Sequence, residues 1–193
     1  MDPVKPRSSD AAYRRQKQIE TILYENLQRL PYGSISISEL CRQAGISRVA
    51  FYHYYRDKED CLCAMIDRII QDTMYRVTTE IPDNASVLDA ATILMEAWRD
   101  QKVYWDIIVQ NNLLHHVIMR SMHNVTEEDQ PVLQLLNTPE LPSDPDILCC
   151  YLTSQVTLIL QWYFRGFDTP AREMAKKYLR LTHTPMIPIP EDG

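Results

Sequence analysis

Glycine is scarce in this sequence, and no arrangement of residues typical of a catalytic site is present. Only 4 of the 193 residues are glycine, and the strict alternation of apolar and polar residues that marks half-buried strands is rare. The sequence also lacks a phosphate-binding glycine loop, a nucleophile elbow and a zinc box. These absences argue against a β-rich protein and against the common enzyme classes. We therefore predict an all-helical protein that is not an enzyme.

Cysteine occurs without a metal-binding or disulfide pattern. The 5 cysteines are an odd number, and the pairs Cys61-x-Cys63 and Cys149-Cys150 lack the spacing of a metal or redox site. His115, His116 and His123 do not suggest a metal site either, because adjacent histidines on a helix point to different sides. The N-terminus has no apolar signal-peptide core. We expect a cytoplasmic protein with reduced thiols, no metal and no cofactor.

Long apolar runs are also lacking, with one exception. Ile147–Phe164 contains no charged residue, and its length just reaches that of a membrane span. The run carries several hydroxyl and amide side chains that are unfavourable in hydrocarbon, namely Thr153, Ser154, Gln155, Thr157 and Gln161. We therefore predict a helix buried on most sides within a soluble protein, and no membrane partner.

Charge is distributed unevenly along the chain. Residues 1–58 hold ten Lys/Arg and six Asp/Glu, a net charge of +4, whereas residues 59–193 hold ten and twenty, a net charge of −10. The two parts sum to the −6 of the whole chain. This asymmetry is expected of a protein whose N-terminal part alone meets phosphates; the alternative is chance variation.

Two short helices joined by a tight turn are predicted between Ser36 and Tyr55. Ser36 can cap the first helix, with Glu39 three residues later at the capping-box spacing. Gly45 suits a left-handed turn, and Ser47 can cap the second helix. Such a pair forms a DNA-binding unit when the second helix begins with small, polar or basic residues.

The same stretch resembles a known family. The run from Ala44 to Glu59, Ala-Gly-Ile-Ser-Arg-x-x-Phe-Tyr-x-Tyr-Tyr-x-Asp-Lys-Glu, is similar to the N-terminal signature of TetR-type transcriptional regulators. Two positions depart from the pattern: Ala50 stands where a Thr or Ser hydroxyl often touches DNA, and Tyr54 where His is common. The resemblance implies an all-α fold, with a three-helix helix-turn-helix head on a C-terminal helical body for ligand binding and dimerisation.

Helical periodicity and chain breakers suggest the organisation of the chain. We expect flexible tails at 1–9 and 184–193, a DNA-binding domain at 10–56 and a regulatory domain at 57–183. Helices are predicted over Asp10–Leu30, Ser36–Ala44, Ser47–His53, Asp57 or Lys58 to before Pro82, Asn84–Asp100, Lys102–Met122 with a break near Asn111-Asn112, Asp146–Arg165, and Pro170–Leu181 capped by Thr169. Residues 124–146 are predicted to form a loop with one turn at Val132–Leu136.

The second helix of the pair holds the candidates for reading DNA bases. Arg48 can engage guanine bidentately; alternatively it contacts phosphate or is solvated. Val49 and Ala50 could meet a thymine methyl group or be plain helix surface. Lys58 lies in a first helical turn, where the dipole disfavours a cation. A phosphate bound at this helix start would explain the position of Lys58. Neutralisation of the lysine by its acidic neighbours would explain it as well.

The remaining contacts depend more on the resemblance. It implies that the Tyr52 hydroxyl meets phosphate, unless Tyr52 is a core residue, and that Tyr55 is core. Ser36 serves as a cap or as a phosphate contact, and His53 could reach phosphate or a base. The complete predicted DNA-binding set is Ser36, Ser47, Arg48, Val49, Ala50, Tyr52, His53, Tyr54 and Lys58.

Two further surfaces are predicted in the body. Two heads on a twofold axis are needed for useful specificity, and in TetR-like chains the last two long helices form the dimer interface. The corresponding residues, which could instead be buried within one subunit, are Tyr151, Ile159, Leu160, Trp162, Tyr163, Met174 and Tyr178. The side chains that would suit an apolar or aromatic effector, or belong to a plain core, are Met95, Trp98, Tyr104, Trp105, Met119 and Met122.

The resemblance implies a homodimeric repressor that binds an inverted-repeat operator on double-stranded DNA and is released by a small ligand. Two alternatives remain open. Trp162–Phe167 followed by a capped helix is similar to a subgroup of activators or co-activators, which would act through a protein partner without a small ligand. A helical interaction protein that has lost DNA binding is compatible with Ala50 and the acidic body.

Overall fold

Helices and short turns account for the part of the chain that a computed structural model describes, residues 10–82, 84–126 and 144–183. No strand occurs in these residues, which confirms the all-α class. The helices are α1 (Asp10–Leu27), α2 (Ile37–Ala44), α3 (Arg48–Tyr52), α4 (Lys58–Glu80), α5 (Val87–Asp100), α6 (Lys102–Gln110), α7 (Leu114–Thr126), α8 (Pro145–Phe164) and α9 (Ala171–His183). The predicted tails and the turn at Val132–Leu136 lie outside the described residues.

The chain divides into two compact units. The first combines residues up to Ile69 with Asp106–Arg120, and the second combines Ile70–Trp105 with the residues from Ser121 onward. This division differs from the predicted domains, whose boundary followed Arg56. The helix-turn-helix lies wholly in the first unit.

Capping interactions set the ends of the helix-turn-helix. The Ser36 hydroxyl accepts a hydrogen bond from the Glu39 amide at 3.1 Å, and the Ser47 hydroxyl accepts one from the Ala50 amide at 3.0 Å. Gly45 adopts a φ of +63°, the left-handed conformation that ends α2. Both caps and the glycine turn were predicted, and all three are confirmed. Fully buried side chains complete this unit, namely Ile19, Leu23, Leu40, Phe51, Leu62 and Ile66.

A buried ionic cluster ties α1 to α4 in the first unit. The Glu20 carboxylate, 2% exposed, pairs with Arg68 and accepts a hydrogen bond from the Tyr55 hydroxyl at 2.6 Å. The Arg68 guanidinium also lies 4.9 Å from the ring centre of Tyr13. Burial, followed by the negative charge of Glu20, raises the pKa of Tyr55. The prediction that Tyr55 is a core residue is confirmed.

The second unit is joined mainly by apolar packing, with α9 lying against α5 and α8. Trp162 of α8 is fully buried, its ring 5.0 Å from that of Phe167, and its indole N–H donates to the Thr169 carbonyl at 3.0 Å. The predicted Thr169 cap is wrong, because that hydroxyl donates to Asp168 and the carbonyl of Pro170 accepts the first helical hydrogen bonds of α9.

Helix α8 is less buried than expected. By length and composition it is the one helix of the described residues that could cross a membrane, a test that core helices of soluble proteins also pass, and 33% of its apolar window is buried. The prediction of a helix buried on most sides is therefore wrong. One side of α8 is exposed along its length, at Ile147, Cys150, Thr157, Gln161 and Phe164; we call these residues the α8 stripe.

Candidate nucleic-acid interface

Helix α3 presents one face to solvent and buries the other. Val49 is 69% and Tyr52 47% exposed, and Arg48 and His53 are exposed beside them. These positions follow the helical repeat, while Phe51 on the opposite side is fully buried. The exposure of Tyr52 excludes the core alternative for this residue.

Other members of the predicted contact set lie at the margins of this face. Ser36 and Ser47 are exposed and act as helix caps, which leaves each hydroxyl hydrogen available for donation. Ala50 and Tyr54 are partly exposed. The structure thus brings together small, apolar and basic side chains of the kinds that contact base edges and phosphates.

The guanidinium of Arg48 is held by two hydroxyl groups. Its Nη1 donates to Oγ of Ser38, in α2, and its Nη2 donates to Oη of Tyr52, each at 3.3 Å. The hydrogen bond with Tyr52 is the main cause that raises the pKa of Arg48. Sequence reasoning did not include Ser38; its proximity to Arg48 depends on the geometry of the turn, and no local pattern shows it.

Lys58, at the start of α4, binds the backbone of the turn that follows α1. Its Nζ donates to the carbonyls of Tyr32 at 2.7 Å and Ile35 at 2.8 Å, and lies 4.1 Å from the ring centre of Tyr32. Burial lowers the pKa of Lys58. The acidic neighbours that the alternative invoked to neutralise it have other partners, since Glu59 lies 3.4 Å from His116 and Asp60 lies 2.9 Å from Arg56.

The turn bound by Lys58 is also tied to the end of α6, within the first unit. The Tyr32 amide donates to Oδ1 of Asn111 at 2.6 Å, and Nδ2 of Asn111 donates to the Ile107 carbonyl at 3.0 Å. Asn112 has a φ of +55° and separates α6 from α7. The helix break predicted near Asn111-Asn112 is therefore confirmed, but its connection to Tyr32 was not foreseen.

The predicted dimer residues lie mostly inside one subunit. Five of them are buried in the single chain, namely Ile159, Leu160, Trp162, Met174 and Tyr178. Tyr151 and Tyr163 are partly exposed. A side chain buried within its own subunit has little surface left for a partner. The alternative of burial within one subunit describes them correctly.

The predicted effector residues divide between the two units. Trp98, Tyr104 and Trp105 pack on one another with ring centres 5.1 to 6.3 Å apart, and the Trp105 indole N–H donates to the Trp98 carbonyl at 3.0 Å. Met95 is buried and Met122 half-buried in the same unit, whereas Met119 is exposed and belongs to the other unit. The core alternative therefore accounts for Met95 and the three aromatic residues.

Comparison with known proteins identifies the head. The family model described as bacterial regulatory proteins, tetR family, matches residues 27–65. The head of the chain is therefore similar to that of tetR-family bacterial regulatory proteins. The HTH-type transcriptional regulator EthR of Mycobacterium tuberculosis, like that of Mycobacterium bovis, is 41% identical to it over 44 residues. That match covers 23% of this chain and about a fifth (20%) of the length of EthR.

Solved structures extend the likeness of this chain beyond its head. A TetR-family transcriptional regulator from Haemophilus influenzae superposes with a TM-score of 0.55 at 12% identity, covering 90% of this chain and 98% of that one. The dihydroxyacetone kinase operon activator DhaS superposes with a TM-score of 0.50 at 15% identity, covering 88% and 94%. These matches establish the TetR-like helical fold.

Proposed function

We propose that the protein is a transcriptional regulator that binds an inverted-repeat operator on double-stranded DNA through the exposed face of α3. The arrangement of Arg48, Val49, Tyr52 and His53 on a capped helix after a glycine turn carries this proposal. An Arg fork can engage guanine, and Val can contact the thymine methyl group. The +4 charge of residues 1–58 favours approach to the phosphates.

Lys58 belongs to the proposed contact set through its remaining N–H. An ammonium group has three donors, and two of those of Lys58 bind the Tyr32 and Ile35 carbonyls. The third can bind a phosphate at the start of α4. In that position Lys58 would contact the DNA backbone and, at the same time, hold the turn after α1 in place.

We propose that the homodimer forms through the α8 stripe and not through the buried residues first predicted. The stripe is uncharged, runs the length of the helix, and ends at Phe164, which is 62% exposed. A self-complementary surface of this kind is what a twofold dimer requires. Phe164→Asp should shift the protein from dimer to monomer in sedimentation equilibrium, whereas Tyr75→Asp, at an aromatic residue that is 72% exposed, should leave the dimer intact. An unchanged mass for Phe164→Asp would refute this assignment.

Repression with release by a small ligand is the form of regulation that the family likeness favours. A ligand that prefers the non-binding conformer by about 1–3 kcal/mol would suffice. The packed aromatic residues of the second unit add no support for a ligand site there. The alternative of an activator with a protein partner depends on the fold likeness and the Trp162–Phe167 sequence alone.

Selection of bound sequences from a random duplex library, with the mass of the complex measured alongside, tests the proposal. We expect one palindromic motif bound by a dimer. Arg48→Ala should weaken the preference at one base-pair position of each half-site, and Lys58→Ala should lower the dependence of log affinity on log salt by about one unit. A dimer that enriches no motif would favour the helical interaction protein.

A further inference from the structure

Arg48 differs from the other arginines near the recognition face in the chemistry of its partners. Arg42 is paired with the Glu39 carboxylate, and Arg56 with the Asp60 carboxylate at 2.9 Å. Arg48 is held instead by two neutral hydroxyl groups, those of Ser38 and Tyr52. Its orientation is therefore constrained while its positive charge is not neutralised by an acidic partner.

The two hydroxyl groups restrain the plane of the guanidinium. They bind different terminal nitrogens, one from α2 and one from a full turn further along α3. Rotation about the end of the side chain would break at least one of these hydrogen bonds. A free surface arginine samples many rotamers, and ordering it opposes binding; a restrained one has lost part of that freedom before DNA arrives.

The restraint leaves the donors that base recognition needs. A guanidinium has five N–H groups, and two of those of Arg48 are engaged by Ser38 and Tyr52. Three remain, enough for a bidentate contact with the O6 and N7 atoms of guanine. Tyr52 accepts the hydrogen bond, so its own hydroxyl hydrogen can still donate elsewhere.

We propose that Ser38 and Tyr52 are positioning residues that orient Arg48 for reading one base pair. This inference rests on the proposed DNA-binding function and deepens it. Specificity at that base pair then depends on three side chains from two helices. The role differs from the phosphate contact that the family resemblance implies for Tyr52, because a phosphate contact affects every DNA sequence equally.

The test measures affinities for a panel of duplexes, each with one base pair of the selected operator changed. The variants are Tyr52→Phe, Ser38→Ala, Arg48→Ala and the double variant Tyr52→Phe/Arg48→Ala. Ser38→Thr, which keeps a hydroxyl group, is the control for Ser38→Ala, and Arg48→Lys, which keeps the charge without the planar fork, is the control for Arg48→Ala. Tyr52 and Ser38 are exposed, so thermal unfolding should show that these variants fold.

We expect Tyr52→Phe and Ser38→Ala to reduce discrimination at the Arg48 base pair by roughly two- to tenfold and leave other positions unchanged. Ser38→Thr should keep the wild-type discrimination at that base pair. In the Arg48→Ala background, Tyr52→Phe should have no further effect at that position. Arg48→Lys should lose the same preference while keeping the salt dependence.

Two results would overturn the inference. One is an equal loss of affinity by Tyr52→Phe on every duplex, with the same loss in the Arg48→Ala background, which is the behaviour of a phosphate contact. The other is unchanged discrimination in both Tyr52→Phe and Ser38→Ala. If the wild-type protein shows no sequence preference, the proposed function itself fails, and the wild-type profile distinguishes that outcome from the other two.

Discussion

The contacts inside the first unit differ in kind from those inside the second. In the first, directional polar contacts connect distant segments: Glu20 binds Arg68 and Tyr55, and Tyr32 is bound by both Lys58 and Asn111. In the second, buried rings and apolar helix faces join α5, α8 and α9, and the ion pair of Arg172 with Asp89 lies at their exposed margin. Hydrogen bonds fix angles as well as distances, so the first kind suits a unit whose exposed side chains need defined orientations. Apolar packing requires mainly volume and shape.

The largest effect is expected in the second unit, from Trp162→Ala. This side chain is fully buried and its N–H is bonded to Thr169, so its removal leaves a cavity and an unsatisfied carbonyl. The free energy of unfolding should fall by about 3–5 kcal/mol in urea denaturation. Trp162→Phe keeps most of the ring volume and should lose clearly less. Equal losses for the two variants would mean that the hydrogen bond, and not packing, dominates this site.

The matching change in the first unit is Glu20→Ala. It leaves Arg68 without its carboxylate and the Tyr55 hydroxyl with only its longer hydrogen bond, to the Gln16 carbonyl at 3.3 Å. Removing one member of a fully buried ion pair costs about 3–5 kcal/mol. The Arg68 side chain keeps 18% exposure, so we expect about 2–4 kcal/mol in urea denaturation.

Glu25→Ala, at an exposed position of the same helix, is the control for Glu20→Ala. It should change the free energy of unfolding by less than about 0.5 kcal/mol. If the two variants were equally stable, the polar cluster would not be what holds the first unit together, and the contrast between the units would fail.

Removing a helix cap should lower the free energy of unfolding by a similar amount in both units. The difference between the units would then lie in their tertiary contacts alone. Ser47→Ala removes the cap of α3, and Ser86→Ala removes one half of the capping box that starts α5. Each should lower the free energy of unfolding by about 1 kcal/mol. Ser47→Asp and Ser86→Asp keep a capping oxygen and should lose little. A much larger loss at Ser47 would show that the cap also supports the contacts around α3.

The smallest effect concerns two exposed carboxylates, one in each unit. Hydrogen bonds from Arg42 and Gln43 lower the pKa of Glu39 to about 2, and hydrogen bonds from Ser86 and Arg172 lower the pKa of Asp89 to about 2. Ordinary values are about 4. Because the folded-state pKa values are depressed, the associated stability is present above about pH 4.5 and is lost as the pH falls towards 2.

Titration of the carboxylate carbons by NMR would measure these pKa values directly. Arg172→Ala should raise the midpoint of Asp89 and leave that of Glu39 unchanged, while Arg42→Ala should do the reverse. Midpoints near 4 for both carboxylates in the wild-type protein would contradict the expectation.

The helix-turn-helix was predictable because its signals are local. Ser36, Glu39, Gly45 and Ser47 act on residues within one turn of themselves, so their spacing alone shows where the helices begin and end. Lys58 shows the limit of such reasoning. Its unusual place in a first helical turn was evident, but its partners, the carbonyls of Tyr32 and Ile35, lie in the turn that precedes α2.

The exposed face of α8 was beyond sequence reasoning for another reason. Apolar residues surround most of this helix, so its periodicity cannot show which side is buried. The resemblance indicated that this helix forms the dimer, and it led to the choice of Ile159, Leu160 and Trp162. These three side chains lie on the side of α8 that is buried within the subunit. The likeness of a whole fold indicates the helix, whereas the exposed side depends on how α9 packs against it.

The hydrogen bond between Tyr32 and Asn111 gives the protein a natural spectroscopic reporter. An amide proton in a bond of 2.6 Å should resonate downfield and exchange slowly with solvent, although it lies at the edge of a three-residue turn. The Tyr32 ring, 4.1 Å from Nζ of Lys58, should shift the ε-methylene protons of that lysine upfield through its ring current. These two signals would show, without any added label, whether the turn after α1 keeps its hold on α4 and α6 when operator DNA is added.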